Sequence, residues 1–254
     1  MHFFKYQGAG NDFILIDNRS GKISLSPEQI KQLCDRRFGI GADGLMLMND
    51  RSDFDFEMQY YNSDGLPGTM CGNGGRCIVR FATELGIEKE NYRFLASDGL
   101  HEATIMPDGT ISLQMQNVDR IEESGSDFIL DTGSPHFVRF VNELDTLNVF
   151  ELGKQIRNEA RFAPKGINVN FIELTENSDR IRVRTFERGV EDETLACGTG
   201  VTACALVLAM KDKTCRSTFI EVRGGELRVE YQTSDFKTFT DIRLRSEEHT
   251  SELQ

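Results

Sequence analysis

Two stretches decide how this chain folds: "MCGNGGRCIVRF" at residues 70–81 and "ACGTGVTACALVLAM" at 196–210. Each places a cysteine in front of a glycine-opened turn that runs into an apolar segment of helical length. The two lie about half the chain apart, the spacing expected of a duplicated unit. The second is apolar nearly all round, which predicts a helix buried on every side, over about 199–210. In a chain otherwise rich in short strands, such a helix needs a curved sheet wrapped around it. The first stretch predicts a helix from about Gly75 to Leu85, closed by Gly86.

The segments around them repeat one grammar. "DFILID" at 12–17 is the continuous apolar run of a buried strand. "SPEQIKQLCDRRFG" at 26–39 has Ser26 as cap, Pro27 at the first helical position, Gln29 completing a capping box and Gly39 as a stop. "FDFEMQYY" at 54–61 alternates as a half-buried strand does, and "NSDG" at 62–65 breaks it. "MPDG" joins strands near 101–106 and 110–116. In the second half "HFVRFV", "GINVNFIEL" and "RIRVRTFE" are strands, and "TFIEVRGGELRVEY" is a hairpin about a Gly-Gly turn. The expected fold class is α/β (α+β). It has two similar domains, each a curved mixed or antiparallel sheet around a central helix, with the active site in the cleft between them. The polar "VDRIEESGSD" at 118–127 sets the expected domains at 1–120 and 121–244.

Composition narrows the function. The chain has 254 residues, 39% hydrophobic and 28% charged, with a net charge of −12 and a pI near 4.9. An acidic surface without a run of Lys or Arg argues against nucleic acid as a partner. The N-terminal stretch lacks the basic flank and apolar core of a signal peptide, and the longest apolar run, Ala203 to Met210, is too short to span a membrane. A cytoplasmic protein with no membrane association is expected. None of the six cysteines forms a Cys-x-x-Cys pair, so they are thiols that serve as core filler or as chemistry.

A cysteine at a helix N-terminus is favoured as thiolate by the backbone N–H groups and the helix dipole, and the same N–H groups receive a carboxylate. One such element suits a nucleophile. Two suit a proton removed from one face of a carbon and another returned to the opposite face, which inverts a stereocentre. Free cysteine is also ordinary core filler. Cys77 and Cys204, one to two turns inside their helices, fit that reading, as do Cys34 and Cys215. Cys71 and Cys197 differ from them in sharing position, neighbours and half-chain spacing.

The motifs "YQGAGNDF" at 6–13, "YNSDG" at 61–65, "CGNGGRC" at 71–77, "GSPHFV" at 133–138, "GINVNF" at 166–171 and "ERGVEDETLACGTG" at 187–200 resemble, in order and approximate spacing, those of diaminopimelate epimerase. The resemblance covers Lys5 to about Leu244. It implies a cofactor-independent isomerase, without pyridoxal phosphate or metal, that interconverts LL- and meso-diaminopimelate for lysine and peptidoglycan precursor biosynthesis. It also implies a homodimer. By position, Cys71 and Cys197 would be the acid/base pair. Gly72, Asn73, Gly198 and Thr199 would hold the reacting carboxylate, and Asn11, Asn62, Asn168, Glu187 and Arg188 would grip the substrate, mainly its distal amino-acid end. His136 and Glu187 would tune or orient the cysteines. Outside the motif context each Asn is an ordinary turn residue, Glu187–Arg188 a solvated edge, and a His in "SPHF" a structural residue.

The chain departs from the family pattern at Ser134, where many members carry Asn, at Gly44, where some carry Gln, and by one additional residue between Arg188 and Cys197. "RSEEHTSELQ" at 245–254 is polar and without strand alternation, and it resembles the translation of a common sequencing adapter. It is read as a non-native tail, one that deprives a sheet of its last strand. The nearest alternative function is a proline or hydroxyproline racemase, which also uses a cysteine pair. Others are a thiol redox protein and a binding-only relative.

Overall fold

The computed structural model describes residues 2–246 and the backbone of 248–251. Apart from 248–251, the tail positions 247 and 252–254 lie outside the described residues. The chain divides into two compact units. The division falls between Leu113 and Gln114, and Ser246 with 248–251 belongs to the first unit.

The first unit contains β1 (Phe4–Gly8), β2 (Asn11–Asp17), α1 (Pro27–Cys34), β3 (Gly44–Asn49), β4 (Phe56–Asn62), α2 (Gly72–Glu84), β5 (Asn91–Ala96), β6 (Gly99–Ile105) and β7 (Ile111–Gln114). Adjacent strands pair in chain order: β1–β2 antiparallel, β2–β3 parallel, β3–β4 antiparallel, β4–β5 parallel, then β5–β6 and β6–β7 antiparallel.

The second unit contains β8 (Ile121–Ser124), β9 (Asp127–Asp131), β10 (Pro135–Phe140), α3 (Val149–Arg157), β11 (Asn168–Leu174), β12 (Arg180–Glu187), β13 (Asp192–Thr194), α4 (Gly198–Lys211), β14 (Ser217–Val222), β15 (Gly225–Gln232) and β16 (Thr240–Ser246). Starting from β9, the pairing runs antiparallel (β9–β10), parallel (β10–β11), antiparallel (β11–β12), parallel (β12–β14), antiparallel (β14–β15) and antiparallel (β15–β16). This is the order of the first unit strand for strand, with β8 and β13 added. In both, a short helix follows the second strand and a long helix precedes the fifth. The duplication is therefore one of topology, although the two sequences have diverged.

Each sheet has a helix on both faces, which is why β2, β3 and β11 are buried along most of their length without alternation. In β2, Ile14 and Ile16 join Leu45 and Leu47 of β3 in a core under Ile30 and Cys34 of α1. The opposite face packs on α2, where Gly74 lies against Met46 and Met58. In the second unit Phe137, Val169, Phe171 and Phe186 form the core under Val149 and Ile156 of α3. The opposite face receives α4, whose residues from Val201 to Ala209 are all buried. The all-apolar helix thus has the setting expected of it: it contacts β9, β10, β11, β12, β14 and β15.

Several boundaries differ from the sequence reading. Helix α2 begins at Gly72, because Gly-Asn-Gly-Gly forms its first turn instead of preceding it. Helix α1 stops at Cys34 although Gly39 was the expected stop: the Asp35 carboxylate accepts from the N–H groups of Arg37 and Phe38 and starts a separate turn. The β14–β15 hairpin turns on Arg223–Gly224, since Val222 pairs with Gly225. The segment at 118–127 contributes β8 and its turn into β9. The tail, read as lacking a strand, carries β17 (Glu248–Ser251), whose backbone pairs antiparallel with β1.

Candidate active site

Both cysteines are helix N-caps. Cys71 precedes α2 and Cys197 precedes α4, each with extended backbone and neither making a side-chain cap hydrogen bond. The other two helices are capped conventionally, α1 by Ser26 and α3 by Asn148. A polar cap satisfies the first-turn N–H groups. At α2 and α4 those groups belong to Gly72, Asn73 and Gly74, and to Gly198, Thr199 and Gly200, and no cap side chain takes them. A helix start without a side-chain cap is the kind of place where an anion binds.

In the first unit, the β1–β2 hairpin turns through Ala9 (φ 50°) and Gly10 (φ 81°), and Gly8 pairs with Asn11. Two left-handed residues make the tight turn whose twist suits a hairpin, and it delivers Asn11 at the start of β2. The Asn11 Oδ1 accepts from the Cys71 thiol at 3.5 Å, while its Nδ2 donates to Asp43 Oδ2 at 2.7 Å. Asp43 is bonded in turn to Arg36, which also pairs with Asp12. Asn73 is buried and its Oδ1 accepts from Arg76 at 2.8 Å, so its side chain is committed to holding α2. Asn62 ends β4 opposite Gly44, and its backbone closes the turn to Leu66. At Gly44 a β-carbon would run into the Tyr60 ring, so the space a longer side chain would need is already filled.

In the second unit, strand alternation decides which side chains reach α4. His136 on β10 pairs in register with Asn168 on β11, and Asn170 pairs with Thr185 on β12. Asn168, Asn170 and His136 therefore share a face, opposite the one where Val169 and Phe137 enter the α3 core. All three are buried. Asn168 donates to Ser134 Oγ at 2.8 Å and accepts from the Arg188 N–H at 2.8 Å, and the Arg188 guanidinium reaches Ser134 Oγ at 3.4 Å. Ser134, one of the departures, is thus the hydroxyl shared by Asn168 and Arg188.

Glu187 ends β12, where its carboxyl accepts from Thr194 Oγ1 at 3.0 Å. Burial pushes its pKa above the ordinary carboxyl value, against that hydrogen bond. The additional residue between Arg188 and Cys197 falls in a stretch whose turn, 188–191, ends on Glu191 in left-handed backbone (φ 58°). Cys197 Sγ lies 3.5 Å from Thr199 Oγ1, and Thr199 O accepts from Thr132 Oγ1 at 2.9 Å. The His136 imidazole is held neutral: burial, with Arg188 nearby, lowers its pKa to about 3.

The structure therefore joins Asn11 to Cys71, and joins Asn168 to Arg188. Asp43, Asn170, Thr185 and Thr132 were missed. Asn170 had a readable signal: it repeats Asn168 at the strand period, so both had to face the same side. Cys204 and Cys34 match the structural reading, since burial raises both thiols, Cys34 to about 11.

A sequence profile of the family described as diaminopimelate epimerase matches residues 3–121 and 128–241. A diaminopimelate epimerase of Flavobacterium psychrophilum is 48% identical over 250 residues, covering 96% of each chain. One from Aquifex aeolicus is 43% identical, covering 89% of this chain and 88% of that protein. Solved structures with the same fold include a phenazine biosynthesis protein of the PhzF family from Bacillus anthracis, with a TM-score of 0.74 at 14% identity over 99% of this chain and 98% of that one. A hydroxyproline epimerase from Agrobacterium vitis has a TM-score of 0.68 at 14% identity, covering 98% and 90%. Among the described residues no helix is long and apolar enough to cross a membrane. With a profile match across nearly the whole chain and close relatives aligned end to end, the chain belongs to the diaminopimelate epimerase family.

Proposed function

We propose that this chain interconverts LL- and meso-diaminopimelate by a two-cysteine acid/base mechanism, without a cofactor. One observation carries the reading: the same element, a cysteine N-capping a helix whose first N–H groups are left uncapped, occurs at the same place in two units with the same order of strand pairing. A nucleophile needs one such element, whereas inversion at carbon needs two.

In this mechanism one cysteine enters as thiolate and takes the α-proton. The electron pair of the broken C–H bond passes into the adjacent carboxylate, which the first-turn N–H groups of Gly72 and Asn73, and of Gly198 and Thr199, stabilise as its charge grows. The other cysteine, a thiol, gives its proton to the opposite face. The two sulfurs finish with their protonation states exchanged, ready for the reverse reaction. Asn11, Asn62, Asn168, Glu187 and Arg188 bind the rest of the molecule. Its distal end carries an ammonium and a carboxylate, and the Glu187 carboxylate and Arg188 guanidinium are the matching pair. His136 supports the site. We further propose that the protein acts in the cytoplasm, as a homodimer, in two epimerase domains at 1–120 and 121–244.

The test is incubation of the reduced protein with LL-diaminopimelate in deuterium oxide. Label at the α-carbon with formation of the meso form is expected, and both are to vanish as net epimerisation in Cys71→Ala and in Cys197→Ala. Full epimerisation by either variant would sink the mechanism. Label entry into proline or hydroxyproline but not diaminopimelate would instead favour the alternative racemase.

A further inference from the structure

Asn170 makes three hydrogen bonds inside the second unit, and they determine one another. Its Nδ2 lies 2.9 Å from Phe137 O and 3.1 Å from His136 Nδ1, and its Oδ1 lies 2.9 Å from Thr185 Oγ1. A backbone carbonyl can only accept, so the edge of the Asn170 amide that faces Phe137 O must be the NH2 group. The same NH2 then faces His136 Nδ1, which must present a lone pair to it. The imidazole proton is thereby sent to Nε2. The Thr185 hydroxyl donates to the remaining Oδ1 and closes the arrangement. His136 Nε2 is fully buried and has no hydrogen-bond partner among the described residues.

From this geometry we infer that Asn170 is a positioning residue that fixes His136 as its Nε2–H tautomer, making it a permanent neutral hydrogen-bond donor and not a proton-transfer group. The inference deepens the proposed site, on whose reading it rests, by giving its one motif histidine a definite role. Protonation would have to occur at Nδ1, where an N–H would meet the Asn170 N–H head on.

The surrounding groups agree. His136 faces Leu130 of β9 and Asn168 of β11 in register, and neither titrates. The charged group acting on it is Arg188, a cation that disfavours a second positive charge. From α4, Gly200 lies against Asn170 Oδ1, with Cys197 beside the same glycine. The Nε2–H is matched to an anionic acceptor: a carboxylate or a thiolate accepts without giving a proton, and a neutral donor of fixed position stabilises either without itself ionising.

The inference is tested in the resting protein, without substrate, by nitrogen-15 spectra of the histidine- and asparagine-labelled chain across the range of about pH 5 to 8 in which histidine normally titrates. The His136 signals are those lost in His136→Gln. A single Nε2–H imidazole that does not titrate is expected, with a nitrogen–nitrogen coupling across the hydrogen bond from Asn170 Nδ2 to His136 Nδ1. An Nδ1–H tautomer, a titration within the range, or absence of that coupling would overturn the inference. In Asn170→Ala the tautomer should become mixed, while burial and Arg188 still keep the ring neutral. A pure Nε2–H tautomer persisting in that variant would remove Asn170 from the role. Because the spectra need no turnover, their outcome is separate from whether the chain epimerises diaminopimelate.

Discussion

A β-carbon built on Gly200 would fall inside the van der Waals surface of Asn170 Oδ1, and it would also stand 3.2 Å from Cys197 Cβ and 3.3 Å from its Sγ. Helix α4 can approach β11 this closely only without a side chain there. Alanine is favoured over glycine inside a helix by up to about 1 kcal/mol, so propensity alone would make Gly200→Ala stabilising. The clash reverses the sign, because neither neighbour is the loose end of a flexible chain. Gly200→Ala is expected to destabilise by about 1–3 kcal/mol and to cost most of the activity. Gly74→Ala is the comparison: its nearest neighbour is the terminal methyl of Met46 at 2.8 Å, which can move aside. Thermal melts and kcat for the two variants should diverge. Equal behaviour would show that the Asn170 contact is not rigid.

Burial makes the ionised Glu187 a cost to stability at neutral pH. Burial raises its pKa in the folded protein above the unfolded value, so the folded state holds the proton more tightly. Its contribution is neutral below the unfolded carboxyl pKa of about 4.3 and becomes a penalty as the pH rises through the folded value. Glu187→Gln removes the ionisation. It should leave stability unchanged near pH 4 and below, make the protein more stable at neutral pH, and reduce turnover. Urea midpoints at acid and neutral pH measure the first two effects. A variant that gains nothing at neutral pH would mean that the carboxylate is fully compensated by Thr194.

The parts of the site legible in the sequence were those where chemistry is carried by residue type at a turn or helix start. Cys71 and Cys197 stood out because a glycine-opened cap is written locally, and α4 because its apolar surface is continuous. What stayed hidden depends on pairing register. Asp43 meets Asn11 only because β2 and β3 run parallel with Phe13 opposite Gly44. Thr185 meets Asn170 only because β11 and β12 are antiparallel in one register. Helix α3 was missed although Asn148 caps it and its apolar residues repeat at helical spacing. The end of α1 was missed because Asp35, not the glycine, intercepts the chain.

Cysteine reactivity is expected to separate the two helix-capping thiols from those inside the helices. Cys71 is half-buried at a helix start, and Cys197, itself buried at 7% exposure, caps the other helix, whereas Cys77 and Cys204 are wholly enclosed inside α2 and α4. Burial raises the Cys204 thiol well above its usual range, with Cys197 adding to the effect. Thiolates are the species that alkylate, so iodoacetamide on the native reduced protein should label Cys71 and Cys197 first, with loss of activity in step. Mass spectrometry of digests reads this directly. Early labelling of Cys204 would contradict its burial.

Asp43 should act on catalysis through Asn11. A carboxylate can only accept, so the edge of the Asn11 amide facing Asp43 Oδ2 at 2.7 Å is its NH2, and its carbonyl oxygen is the edge left for Cys71 at 3.5 Å. Removing that carboxylate frees the amide to rotate and to present N–H to the sulfur, which favours thiolate over thiol. Asp43→Ala is therefore expected to shift the alkylation of Cys71, followed against pH, toward lower pH while leaving that of Cys197 in place. The side chain is 45% exposed and bonded to the more exposed Arg36, so the fold should tolerate its loss with a cost near or below about 1 kcal/mol. Turnover should fall by about tenfold, the equivalent of about 1.4 kcal/mol in the barrier. If Cys71 alkylates at an unchanged pH while turnover still drops, Asp43 acts on substrate binding and not on the thiol. If neither changes, the Asn11 orientation is held by the β1–β2 turn alone.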